Sequence, residues 1–266
     1  MALPLRSPDH HSSDPIGRGL RDDNTPVRRV NGSHDSHGPH GSVLSVNVGR
    51  ARPVPCTDAP SGTTGIDKRP VDGPVRVAPA GPPGLAGSGV SGDTVCDLRF
   101  HGGADRAVYA FAREDLDDWQ RELNRTPANG SFGENLTTLG LDLRHALIGE
   151  RWRVGPDAVL EVTGGRIPCR TFAGWLGEKG WVRRFTRAAS PGAMLRVLEA
   201  GDVSAGDRIT VVHRPDHDVT VSRLFRAVTT ERETLPDVLV AAPWMEREQL
   251  EIAQQYTAKY AAGNGR

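Results

Sequence analysis

Between Val43 and His213, glycine and proline cut the chain into short β-rich apolar runs, and no other feature of the sequence restricts the fold as much. The runs are "VLSVNVGR" (43–50), "VRVAP" (75–79), "TVCDLRF" (94–100), "AVYAF" (107–111), "RWRV" (151–154), "AVLEV" (158–162), "AMLRVLEA" (193–200) and "DRITVVH" (207–213). The first alternates in the period-two manner of a half-buried strand. The runs are not regularly interleaved with helical patterns, which argues for a barrel or sandwich and against a doubly wound sheet. One helix interrupts them. "REDLDDWQREL" (113–123) puts Leu116, Trp119 and Leu123 on one face and places acids in its first turn.

Both ends read differently. Residues 1–41 are rich in Asp, Ser, His, Pro and Gly, lack apolar periodicity, and are expected to be a disordered leader. After a hinge-like "HRPDHD" (213–218) come three helical pieces at 221–228, 235–242 and 244–262. The expected organisation is therefore a leader (1–41), a mainly β barrel domain (42–214) and a small C-terminal three-helix subdomain (218–262).

Charge and cysteine content exclude several classes of function. With 33 basic and 33 acidic residues the net charge is zero, so no global field draws the chain to nucleic acid or an anionic membrane. No apolar run approaches the roughly 20 residues of a membrane span, and no secretory signal is evident, so the cytoplasm is the expected compartment. Three cysteines (Cys56, Cys96, Cys169) are too few and too scattered for a disulfide framework, a four-ligand zinc site or a four-cysteine iron–sulfur cluster.

The candidate chemistry gathers at glycine-bent turns. In "GGRIPCRTFAGW" (164–175), Cys169 lies between Arg166 and Arg170, just before a helix-like stretch. Nearby cations and a helix start lower a thiol pKa, yet most free cysteines are small buried hydrophobes, and local chemistry leaves both readings open. "GIDKRPVDGPVRV" (65–77) carries Lys68, one of only three lysines, beside Arg69; the pair could grip an oxyanion or decorate an exposed hairpin. "CDLRFHGGADRAVYAF" (96–111) sets His101 before a double glycine, with Asp105 and Arg106 after it. "FGENLTTLGL" (132–141) presents Asn135, whose amide could donate to a ligand or cap the backbone.

In their joint order, "GIDKRPV", "GVSGDTVCDLRFHGGADRAVYAF", "FGENLTT", "GGRIPC" and "VLEAGDVSAGD" resemble MOSC domains, over about residues 43–213. The helical tail resembles that of a bacterial stand-alone branch. The resemblance implies a barrel of the pyruvate-kinase-barrel type that binds a molybdenum cofactor (Mo-molybdopterin). It also implies that Cys169 ligates the metal as the catalytic residue and that Lys68 and Asn135 contact the cofactor. Arg69, His101, Asp105 and Arg166 are nearby motif residues expected to line the same site. The implied activity is an oxidoreductase acting on small N-hydroxylated substrates such as base analogues, fed by a separate flavin or iron–sulfur electron-donor protein, with a homodimer among the expected assemblies. The alternative is a sulfur-carrier or cofactor-handling module with a persulfide on Cys169.

Overall fold

The computed structural model describes residues 40–263, side chains being described as far as residue 261. All but the last two positions of the expected leader lie outside the described residues; His40 and Gly41 already belong to the first strand. In chain order the elements are β1 (His40–Gly49), β2 (Arg52–Pro53), β3 (Thr63–Thr64), β4 (Lys68–Pro70), β5 (Val75–Val77), β6 (Val108–Ala112), α1 (Arg113–Leu123), β7 (Leu136–Leu139) and β8 (Arg151–Val154). They continue with β9 (Ala158–Gly164), α2 (Arg170–Leu176), α3 (Trp181–Ala188), β10 (Ala193–Glu199), β11 (Gly201–Val203), β12 (Arg208–His213), α4 (Val221–Thr229), α5 (Leu235–Val238) and α6 (Arg247–Gly263).

Seven strands run in the order β12-β8-β9-β10-β6-β7-β1, and β1 pairs back onto β12 to close a barrel. Closure leaves the barrel strands no free edges. All its ladders are antiparallel except the parallel β6–β7 pair, so this is the mainly β barrel that the short strands imply. The interior is filled by Val46, Val108, Trp152, Leu160, Leu195 and Ile209, all fully buried. Residues of α4, α5 and α6, including Leu224, Leu235, Val238 and Ala253, are buried in the same hydrophobic cluster. Among the described residues no helix is long and apolar enough to cross a membrane.

A register shift and an aromatic cluster position the polar side chains of the glycine-bent turns. The β1 register shifts between Val43 and Ser45, and its last three residues pair with β4 instead of β7, setting Gly49 opposite Lys68. Outside the barrel, Phe111, Trp119, Phe132, Phe172, Trp181 and Phe185 form an aromatic cluster that fixes α2. Phe172, fully buried, meets Phe132 edge-on at 5.4 Å and Trp181 at 5.3 Å. Such an anchor contributes about 2–3 kcal/mol by burial alone, and it sits three residues after Cys169.

The expected strand at 94–100 does not form. Asp97, nearly buried, accepts from the Arg99 backbone and guanidinium, and its carbonyl accepts from His101 N at 3.1 Å, so a local turn outcompetes a ladder. Conversely, part of the run read as a glycine-bent turn at 132–141 is strand β7, and α3 arises where no helix is predicted.

Candidate functional site

Five of the seven residues predicted for the site line one cleft of about 320 Å³: Lys68, His101, Asn135, Arg166 and Cys169. They come from β4, the loop after residue 100, the turn before β7 and the loop entering α2, segments brought together by barrel closure and by the docking of α2. That volume lies at the small end of the range for ligand pockets.

Cys169 is the N-cap of α2. Its sulfur accepts from Phe172 N at 3.4 Å, so the thiol faces the positive end of the helix. Burial pushes its pKa up. Hydrogen bonding from His101, the Arg166 guanidinium, the His101 charge and the Phe172 amide together outweigh burial and bring it from 9.0 down to about 6. A pKa of about 6 sets Cys169 apart from an ordinary free thiol and favours its thiolate form near neutral pH, which bears on the choice that the sequence left open between a reactive and an inert thiol.

Arg166 is held by its own contacts. Nη1 donates to the Phe132 carbonyl at 2.6 Å, and the guanidinium lies over the rings of Phe172 (4.3 Å) and Tyr109 (5.3 Å). Gly133 makes room for it: at φ +77°, a Cβ there would lie 2.9 Å from Arg166 Nη1. Among the described residues Arg166 pairs with no carboxylate, so its charge is open to an anionic ligand.

Lys68 is buried and bonds Asp93, whose side chain is 1% exposed. Asp93 also accepts from Gly49 N at 2.8 Å and from Asn135 Nδ2 at 2.9 Å. Burial lowers the Lys68 pKa, and Asp93 opposes that shift. Asn135 Oδ1 in turn accepts from Tyr109 N at 3.2 Å, while buried Glu134 accepts from Gly130 N, Phe132 N and Thr137 to hold the turn beneath. Asp93 is thus the hub joining Lys68 to Asn135. Sequence reasoning missed it, although Gly92 before it and the Thr-Val-Cys-Asp run after it marked the bend.

Arg69 and Asp105 stand outside the cleft. Adjacent strand residues face opposite ways, so with Lys68 inward Arg69 points outward, its side chain 70% exposed and paired with Asp67. Asp105 accepts from Arg196 at 2.6 Å and from Arg247 N at 3.3 Å, tying its turn to β10 and α6. It is the next residue, Arg106, that reaches the cleft, where it meets Glu246 and Glu248. These two, with Gln249, bring the start of α6 into the cleft wall, a contribution that helical periodicity alone does not signal.

Among the described residues no three His, Cys, Asp or Glu side chains cluster as a metal site. A metal at Cys169 would need its remaining donors from a cofactor. The donor set fits one with sulfur ligands and an anionic group: a thiolate for a soft metal, and Arg166 and Lys68 for the anion.

Comparison with known proteins places the chain in one family and fold. The family model for the MOSC domain matches residues 97–210. The uncharacterized protein YflK of Bacillus subtilis is 34% identical over 180 residues, covering 68% of this chain and 77% of that protein. A protein of Gibberella moniliformis named reductase is 30% identical over 200 residues, 73% of this chain but only 33% of its own length. The crystal structure of YiiM from Geobacillus stearothermophilus shares the fold, with a TM-score of 0.65, 23% identity and coverage of 81% of this chain and 98% of that one.

Proposed function

Because this chain belongs to the MOSC domain family, we propose that it holds a molybdenum cofactor in the cleft and reduces N-hydroxylated compounds. The overall change is R–NHOH + 2e⁻ + 2H⁺ → R–NH₂ + H₂O, with electrons from a separate flavin or iron–sulfur protein. The observation that carries the reading is the Cys169 sulfur capping α2, its thiol pKa brought down to about 6, in a cleft that also presents Arg166 and Lys68. The coarser part of it, a reductase, is in line with the name of the Gibberella relative.

When bound, the cofactor supplies the two-electron redox chemistry. The chain's residues have separate tasks. Cys169 would hold the metal. Arg166, with no carboxylate partner among the described residues, would meet the cofactor's anionic group, and Lys68 would do so with Asp93 opposing the effect of burial on its charge. Asn135, already held by Tyr109 N and Asp93, offers a fixed polar edge. His101, exposed at the mouth, can carry a proton between solvent and the leaving oxygen at its ring nitrogen.

The test is the molybdenum and pterin content of protein made in a cofactor-competent host, beside Cys169→Ala, followed by donor-dependent reduction of an N-hydroxylated base. Near-stoichiometric metal that Cys169→Ala loses, together with turnover, is the expected result. Absence of metal from both, with a persulfide on Cys169, transfers the assignment to sulfur carriage, which the same low-pKa thiol would also serve.

A further inference from the structure

The start of α6 lies against the "GGRIPC" loop through one side chain, Gln249. Its Nε2 donates to the Gly165 carbonyl at 2.9 Å. The amide is packed so closely over the neighbouring glycine that a Cβ at position 164 would lie 3.0 Å from both Nε2 and Oε1. A carbonyl can only accept, so the nitrogen must face Gly165 and the orientation of the amide is fixed. Oε1 is then left over. Gln249 is 2% exposed, lines the cleft, and its Oε1 has no hydrogen-bond partner among the described residues.

A buried acceptor without a donor is a standing desolvation penalty that a ligand N–H can remove. The surrounding wall has the same polarity: Glu246 and Glu248 add carboxylate oxygens, and Arg106 is engaged by both. Accordingly, this side of the cleft offers mainly acceptors. The same cleft also presents Arg166, Lys68 and the helix-capped thiol, groups suited to anionic and metal-binding partners.

We infer that Gln249 is a specificity-determining residue that accepts a hydrogen bond from an N–H of the substrate, selecting N-hydroxylated compounds that carry such a donor over N–O compounds with no N–H. The inference rests on the reductase reading of the same cleft.

The experiment compares the wild type with Gln249→Met, similar in length but without an acceptor oxygen, and Gln249→Glu, which keeps one. Two substrates are used: 6-hydroxylaminopurine, which has N–H donors, and pyridine N-oxide, which has none. Binding of adenine to the cofactor-free protein is measured by calorimetry. Gln249→Met is expected to raise KM for the purine about tenfold more than KM for pyridine N-oxide, the worth of roughly one hydrogen bond, with kcat changed far less; loss of the bond to Gly165 acts on both substrates alike. Gln249→Glu keeps the preference: burial and the facing carbonyl hold its carboxyl protonated, so that it donates to Gly165 and leaves an acceptor oxygen free. Equal effects on both substrates, or none, overturn the inference while leaving the reductase reading intact. If the wild type reduces neither compound, the reductase reading fails and calorimetry decides: adenine binding weakened about tenfold in Gln249→Met supports the acceptor role, and unchanged or absent binding refutes it.

Discussion

Arg106 and Glu246 stand 140 positions apart in the chain and 3.0 Å apart in space, guanidinium Nη2 against carboxylate Oε2. Glu246 is 2% exposed and also caps α6, accepting from Gln249 N at 3.1 Å. Burial pushes its carboxyl pKa up, and Arg106 with the capping amides pulls it back. Arg106→Ala leaves a buried carboxylate with amide partners alone. The expected loss is about 3 kcal/mol, a fall in melting temperature of about 6–12 °C for a domain of this size. Arg106→Lys recovers only part of it, since an ammonium lacks the planar fork. Melts of the two variants check this, and a loss below about 1 kcal/mol for Arg106→Ala would show that the caps alone hold Glu246.

Cys169 titrates near pH 6, so its alkylation rate should follow the thiolate fraction, flat above about pH 7 and falling tenfold per unit well below 6. Site-resolved mass spectrometry separates it from Cys56 and Cys96. Replacing Arg166 with Met removes a supporting cation, and the midpoint moves up. The folded pKa lies below the unfolded one, so this group's contribution to stability is complete above about pH 9 and lost as pH falls through 6. A midpoint near the ordinary value of free cysteine would contradict the assigned environment.

The barrel was legible because closure needs only period-two runs broken by turns, and most of those runs became strands. α1 occupies the residues its apolar face marks, Arg113–Leu123. The lost strand at 94–100 failed for a local reason, the Asp97 turn, which propensity does not weigh against a ladder. In the site, spacing along a strand could have removed Arg69, since Lys68 and Arg69 cannot both face inward. Nothing local marks Asp93 as the partner of Lys68, 25 residues away, or Gln249 as a neighbour of Gly165, 84 residues away. Those pairings are products of tertiary closure, and an order of motifs points to them only by resemblance.

Gly133 is expected to resist substitution for two reasons that add. Its φ of +77° is left-handed, where an L-residue loses roughly 1–2 kcal/mol. A methyl there also meets Arg166 Nη1 at 2.9 Å and Ile66 Cγ1 at 3.1 Å. Gly133→Ala should therefore lose at least the backbone share in urea melts and also displace Arg166, raising the Cys169 alkylation midpoint. A stability loss with no change in that midpoint would mean that the guanidinium keeps its place.

Lys68 and Asp93 are best tested as a pair. Either single replacement strands a buried charge: Lys68→Met leaves Asp93 with Gly49 N and Asn135 Nδ2, and Asp93→Asn leaves a buried ammonium without its paired carboxylate. Each should lose about 3 kcal/mol, and the double variant much less than the sum, because both desolvation penalties vanish together. Burial lowers the folded pKa of Lys68 below 10.5, so near that pH the unfolded chain binds more protons, and the stability of the wild type relative to Lys68→Met should rise toward alkaline pH. Denaturant melts at pH 7 and about pH 9.5 measure both effects. Strictly additive losses would show that Asp93 serves Asn135 and the Gly49 amide independently of the lysine, and Lys68 would then lose its claim to be held charged for an anionic ligand.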